Sequence, residues 1–470
     1  MSQDGAQSPT LHVHPGDHLV IHLKNELTPN GTVPSKQSMP GMAVMGNAAE
    51  TCGAMMMNSL SVNLHAHGTN LPPVCHSDEV IKTTINAGET FDYDMHFPNN
   101  EPPGLYWYHP HIHGISEPAV QGGASGAIIV DGLENVNPAV AGLPEHVFVV
   151  RDNLVPGNPA PGGMIPSWDV SVNYVPVPYP AFTPTKLLVR PNERQLWRVA
   201  NASADTILDV ELNYDGVAQP LQVVGLDGVP TNSQDGTTGG KSVLMTHILL
   251  APAARAEFVV TTPSVVIHNA VFRTRNIETG PDGDNDPARP LIALETSAGA
   301  PPPPTMPLVS ARPPLGLFAG LEQCKPARTR TLYFSEVLSD PTDPNSPTNF
   351  YITVDGQTPA LFDPNNPPAI VTTQGAVEDW IVQNRTQELH EFHIHQIHFL
   401  LMAQNGVEVA SPQFLDTVQV PYWPGIGPYP SVKLRMDFRG PTVGDFVYHC
   451  HILGHEDGGM MAIIRVKPAE

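Results

Sequence analysis

Basic residues are scarce in this chain. Its 470 residues carry 23 Lys and Arg against 46 Asp and Glu, giving a formal net charge of −23. A surface this acidic repels phosphate backbones and anionic headgroups, which argues against nucleic-acid or membrane-surface partners and for a freely diffusing protein. Long apolar runs are also missing: no stretch reaches the ~18 residues that a transmembrane helix needs. The opening residues, MSQDGAQSPTLHVHPGD, contain neither a basic n-region nor an apolar h-region, so no signal peptide is expected within them.

Turn-forming residues, by contrast, are plentiful. Pro 52 and Gly 39 together make up about a fifth of the chain, and Val/Ile/Thr runs recur between clusters of Pro, Gly, Asn and Asp. That pattern predicts many short strands in all-β sandwiches, and the length allows two to four domain cores.

The densest chemistry lies near the end, in His449-Cys450-His451-Ile452-Leu453-Gly454-His455-Glu456-Asp457-Gly458-Gly459-Met460. One cysteine thiolate, two imidazoles and a weak axial thioether are the ligand set of a blue-copper site, and Cys450, His455 and Met460 can supply three of the four. On an extended strand successive side chains point to opposite faces. If Cys450 points to one metal, His449 and His451 point away from it, towards a second centre joined to the sulfur through the main chain.

Further histidines are spaced for that second centre. Segment 61–70 offers His65 and His67, segment 105–114 offers His109, His111 and His113, and segment 389–399 offers His390, His393, His395 and His398. Residues two apart on a strand share a face, so each His-x-His can present two imidazoles together. His390 is offset from His393 by three and so faces the other way, completing the cysteine's site. Eight imidazoles remain, too many for one ion and suited to a metal cluster. In the run HPHIH, alternation alone leaves all three histidines on one face.

These four motifs resemble those of the multicopper oxidases, the laccase-like family, and stand in that family's order over most of the chain. The resemblance implies three cupredoxin-like Greek-key β-sandwich domains, four copper ions and a bacterial laccase-like enzyme. By position it assigns His390, Cys450, His455 and Met460 to a type 1 copper. His65 and His393 fall to a type 2 copper, and His67, His109, His111, His395, His449 and His451 to a type 3 pair. A reductant would give electrons singly to the type 1 copper, by the exposed edge of His390 or His455. They would pass through Cys450 to the cluster, where four electrons and four protons turn dioxygen into two waters. Imidazoles held on copper cannot supply those protons, so nearby carboxylates should. Asp78 and Glu456 stand at the positions of the family's relay acids, whereas the sequence marks no carboxylate at the reductant pocket. An axial Met goes with lower potentials in this family than Leu or Phe, so electron-rich phenols and aromatic amines are the expected reductants. The resemblance also implies export, to the periplasm or outside the cell, and a monomer is expected.

Domain boundaries follow from the motif positions. Residues 1–134 hold the first two histidine pairs, and residues 144–298 read as strands without any histidine pair at ligand spacing, a copper-free spacer. Residues 328–470 hold the remaining motifs. The run Pro301–Pro304, with Pro307, Pro313 and Pro314 beyond it, reads as a stiff linker. With Cys450 a ligand, Cys52, Cys75 and Cys324 leave one disulfide and one free thiol in three possible pairings. Cys52–Cys75 would staple the His65–His67 strand, and Cys75–Cys324 would tie the first domain to the segment leading into the last.

Other histidines read more simply. His12, His14, His18 and His22 lie in an amphipathic strand pattern and read as strand histidines. His96, His146, His247 and His268 read as surface or packing residues, and His113 and His398 as neighbours of the cluster rather than ligands. A rival substrate is suggested by Met39, Met42, Met45, Met55, Met56 and Met57. Thioether sulfur suits cuprous ion, and such a segment could serve a cuprous oxidase in copper tolerance. The simpler reading is an insertion whose methionines fill gaps in packing.

Overall fold

In the computed structural model the described residues are 7–28, 52–54, 56–154, 165–232, 240–305, 318–343 and 345–469. They form an all-β protein with a few short helical turns. Met39, Met42, Met45 and Met55 lie outside the described residues; Met56 and Met57 lie within them.

In the first stretch, a four-stranded sheet orders Leu11–Val13, Gly126–Val130, Gly104–His109 and His65–His67 side by side. Facing it is an antiparallel ribbon of His18–Lys24 with Thr90–His96. Side chains alternate along both ribbon strands, as a pleated strand with one wet face requires. Leu19, Ile21, Leu23, Phe91, Tyr93 and Met95 pack inward. His18, His22, Asp92, Asp94 and His96 face outward. A short parallel pair, Cys52–Gly53 with Thr83–Thr84, lies beside the ribbon, and Cys52 is disulfide-bonded to Cys75. Cys324 and Cys450 are free thiols.

The middle stretch folds into an eight-stranded and a six-stranded sheet between Glu145 and Thr296. Their shared core holds Trp197 against Phe148, Phe258 and Phe272, with the Trp197 and Phe272 rings edge to face at 5.5 Å. Strand Leu208–Tyr214 is buried along its whole length because its polar residues, too, are covered by neighbours. The last stretch pairs a seven-stranded with a five-stranded sheet around Trp380, Phe392, Phe399 and Tyr448. Each fully buried large apolar side chain contributes ~1.5–3 kcal/mol relative to exposure, and these cores hold rigid the strands that carry the histidines.

The proline run differs from a free linker at its first residues. Glu145 donates its backbone N–H to the Pro304 carbonyl at 2.8 Å, and Pro144 bridges to Thr305. The chain therefore returns along the start of the middle stretch before continuing through 306–317, which lie outside the described residues.

Candidate metal centre

Strand register brings the histidine motifs together. His65 sits directly opposite His109 in one sheet, and His393 directly opposite His449 in another. The ends of those two sheets face each other, so that eight buried imidazoles converge. Their nitrogens form three groups with donor atoms within 4.8 Å of one another: His65, His67 and His393; His67, His109 and His451; and His111, His395 and His449. His111 Nε2 and His395 Nε2 each lie 3.2 Å from His449 Nε2.

Hydrogen bonds fix which nitrogen each ring presents. His65 donates Nδ1–H to Asp78, His109 to the Pro110 carbonyl, His393 to the Asp416 carbonyl and His449 to the Cys450 carbonyl. His67 is tied through Nε2 to Asp416 Oδ1 at 3.2 Å. The opposite nitrogens, His65 Nε2, His67 Nδ1, His109 Nε2 and His393 Nε2, are buried and meet no hydrogen-bond partner among the described residues; neither nitrogen of His451 does. A neutral ring whose N–H is engaged on one side carries a lone pair on its other nitrogen. Buried unpaired groups cost ~1–3 kcal/mol each, so cations that accept those lone pairs would stabilise the convergence. Burial, helped by the neighbouring imidazoles, holds His65, His67, His111, His393, His395 and His451 far below the usual histidine range. Burial takes His109 down to about 3. They are neutral, as metal ligands must be. The residues fit copper ions.

A second convergence lies in the core of the last stretch. His390 Nδ1 and His455 Nδ1 are 3.0 Å apart, and Cys450 Sγ is 3.7 and 3.8 Å from them. Met460 is fully buried in the same core cluster. Burial pushes the Cys450 thiol well up, so a thiolate here requires a cation. The Glu391 backbone N–H donates to the sulfur at 3.4 Å, the kind of contact that tunes a copper–thiolate site. Cys450 lies on strand Gly444–Cys450, and its neighbours His449 and His451 point the other way into the eight-imidazole group.

Carboxylates surround both groups. Asp78 is buried and also accepts the Ala66 N–H and a 2.6 Å hydrogen bond from Gln396. Glu456 is buried, with Oε1 3.9 Å from His111 Nδ1 and 3.2 Å from the Ser116 hydroxyl. Burial raises both well above the usual carboxylate range. Glu388 Oε1 lies 3.0 Å from His455 Nε2, and His455 keeps 13% of its side chain exposed while His390 keeps none. Phe350 stacks on the His455 ring at 4.3 Å.

The middle stretch reaches the cluster as well. Arg255, on strand Arg255–Thr261, grips Asp416 with both terminal nitrogens at 2.8 and 2.6 Å. Asp416 in turn holds His67 through a carboxylate oxygen and His393 through its carbonyl. Gly68 passes so close that a Cβ there would sit 2.3 Å from Asp416 Oδ2 and 2.4 Å from the Arg255 guanidinium, and its φ of +83° also favours glycine.

All twelve sequence-assigned ligands lie in these two groups or, for Met460, in the core beside the second. HPHIH, however, does not share one face. The strand ends at His109, and the chain turns so that His111 enters the cluster while His113 packs against Phe362, ring centroids 4.8 Å apart. Alternation fails because the residues after Pro110 have left the sheet. His113 lines an apolar cleft with His111, Met57, Val80, Ile81, Phe362 and Met461. His398 donates to the Asp227 carbonyl at 2.8 Å and is no member of the ligand groups named above. Glu388, Asp416, Arg255 and Gln396 were not singled out by sequence. Glu388 could have been, standing two residues before His390; the others act only through long-range contacts.

Comparison with known proteins agrees with this geometry. Two family models, both described as multicopper oxidase, match residues 35–135 and 341–470. A laccase of Bacillus subtilis (strain 168) is 24% identical over 406 residues, covering 78% of this chain and 71% of the relative. Among solved structures, a multicopper oxidase of Campylobacter jejuni described as a metallo-oxidase superposes with a TM-score of 0.66 at 22% identity, over 99% of this chain and 86% of that one. A laccase-like multicopper oxidase from the lignin-degrading Ochrobactrum sp. gives a TM-score of 0.65 at 18% identity, over 97% of this chain and 90% of that one.

Proposed function

The chain belongs to the multicopper oxidase family, and on that premise we propose that it is a laccase-like enzyme. It takes single electrons from phenols and aromatic amines and reduces dioxygen to water. In this reading its cupredoxin-like domains are 1–134, 144–298 and 328–470. Four coppers would be held: type 1 by His390, Cys450, His455 and Met460, type 2 by His65 and His393, and a type 3 pair by His67, His109, His451 and by His111, His395, His449. Copper bound there would supply the one-electron redox chemistry and the four-electron reduction of dioxygen.

The remaining tasks fall to the chain itself. The observation that carries the reading is the contact between His455 and Glu388. The partly exposed His455 ring offers an edge for an electron donor, and Glu388, 3.0 Å from its Nε2, offers a proton acceptor at the same place. A phenol loses a proton as it loses an electron, so an acceptor beside the imidazole lowers the cost of oxidation. Cys450 joins this edge to His449 and His451 through its own main chain. Asp78 and Glu456 carry protons towards the cluster, Asp78 while orienting His65 and Glu456 beside His111. Arg255 and Asp416 hold His67 and His393 in register.

A cuprous oxidase is the second reading. It draws on the Met39–Met57 segment, whose Met57 lines the cleft beside His113 together with Met461. Steady-state oxidation of a phenol, an aromatic amine and cuprous ion by the copper-loaded protein separates the two. Turnover of the phenol and amine well above that of cuprous ion is expected; the reverse order overturns the laccase reading.

A further inference from the structure

The outward face of the ribbon His18–Lys24/Thr90–His96 carries a second kind of metal-ligand geometry, on exposed side chains rather than buried ones. The antiparallel register sets His18 directly across from His96, and Asp94 lies two residues before His96 on the same face. The His18 and His96 rings approach to 3.6 Å between centroids at an interplanar angle of 35°. His96 Nε2 lies 3.1 Å from Asp94 Oδ1. One donor atom from each of His18, Asp94 and His96 falls within 4.8 Å of the other two.

From this geometry we propose that His18, Asp94 and His96 form a surface site for a divalent transition-metal ion, additional to the four coppers. The backbone is well fixed for the purpose. Leu19, Tyr93 and Met95 alternate with the three ligands; Tyr93 and Met95 are buried in the core below and anchor Asp94 and His96, and the half-buried Leu19 packs against the same core beside His18. Two imidazoles and one carboxylate form a borderline ligand set that favours cupric over zinc and nickel ions and disfavours calcium and magnesium. The opposed imidazoles already share one locus, so binding requires side-chain rotation rather than backbone movement. The chain's net charge of −23 concentrates cations at its surface. Further along the same face, His22 Nδ1 meets Asp92 Oδ1 at 2.7 Å, a separate pair that the site does not use. The inference does not depend on which reductant the enzyme oxidises.

The test uses the copper-loaded enzyme, dialysed to retain its tightly held copper and then titrated with Zn2+ by calorimetry. One equivalent of Zn2+ should bind, and Cu2+ should displace it. His18→Ala and His96→Ala should each abolish that binding, Asp94→Asn should weaken it, and His22→Ala should leave it intact. Blue colour and copper content should stay at the parent level throughout, which also reports folding. No Zn2+ binding by the parent, or an unchanged isotherm in both His18→Ala and His96→Ala, overturns the proposal.

Discussion

Replacing Arg255 with methionine tests whether the middle stretch helps to hold the cluster. Arg255 is 1% exposed, and its guanidinium donates to the Leu105 carbonyl at 3.2 Å, the Ala253 carbonyl at 3.0 Å and both oxygens of Asp416. Those acceptors come from the first, middle and last stretches of the chain. Methionine keeps most of the apolar stem but strands the Asp416 carboxylate, itself fully buried. Removing one partner of a buried pair costs about 3–5 kcal/mol, which should appear as a lowered midpoint in chemical denaturation. The effect on copper should be selective. Groups that orient metal ligands are typically worth about 10–100-fold in metal affinity, and Asp416 orients His67 and His393 but touches none of His390, Cys450, His455 or Met460. Arg255→Met should therefore lose cluster copper, measured as total copper per chain, while keeping its blue absorbance. Arg255→Lys, with the charge but without the fork that fits a carboxylate, should fall between. If Arg255→Met keeps the parent's denaturation midpoint and full copper content, Arg255 plays no part in positioning.

Four further outcomes are expected. Cys450→Ser should abolish the blue colour and the oxidase activity together, and a blue variant would refute the type 1 assignment. Glu456→Gln should keep copper and colour but reoxidise more slowly after full reduction, because it removes a proton donor without touching a metal bond; stopped-flow reoxidation at the parent rate would rule out the relay. Glu388→Gln should keep the blue colour and lower kcat for phenols more than for a reductant that releases no proton, and equal losses on both would refute its role as proton acceptor. Changing Met39, Met42, Met45, Met55, Met56 and Met57 to leucine roughly conserves volume and should leave phenol and cuprous oxidation both nearly unchanged; a selective loss of cuprous oxidation would move the function to copper defence.

The residues that gather into the two buried groups were legible because their signal is local. A period of two along a strand decides that His65 and His67 act together, and that His449 and His451 turn away from Cys450. Covalent spacing alone carries that information, and it holds wherever the chain stays extended. It fails at His111 and His113, where the chain leaves the sheet after Pro110 and no period applies. The acidic surface and strand-rich composition were equally open to reading.

Contacts between distant segments were decided only by the folded chain. The sequence allowed three cysteine pairings, and packing of the Cys52–Gly53 strand beside Thr83–Thr84 brings Cys52 to Cys75. It named His390 and His455 as alternative electron-uptake edges, and only burial distinguishes the sealed ring from the open one. It read His18 as a strand histidine and His96 as a surface or packing residue, whereas a register set across 78 residues makes them neighbours. It gave no sign that Arg255, from a stretch without a histidine pair at ligand spacing, reaches Asp416. Ligand identity is written in side-chain chemistry and short spacing. Which ligand faces which, and what holds it there, depends on strand register and sheet packing, which are summed over many weak contacts and marked by no single residue.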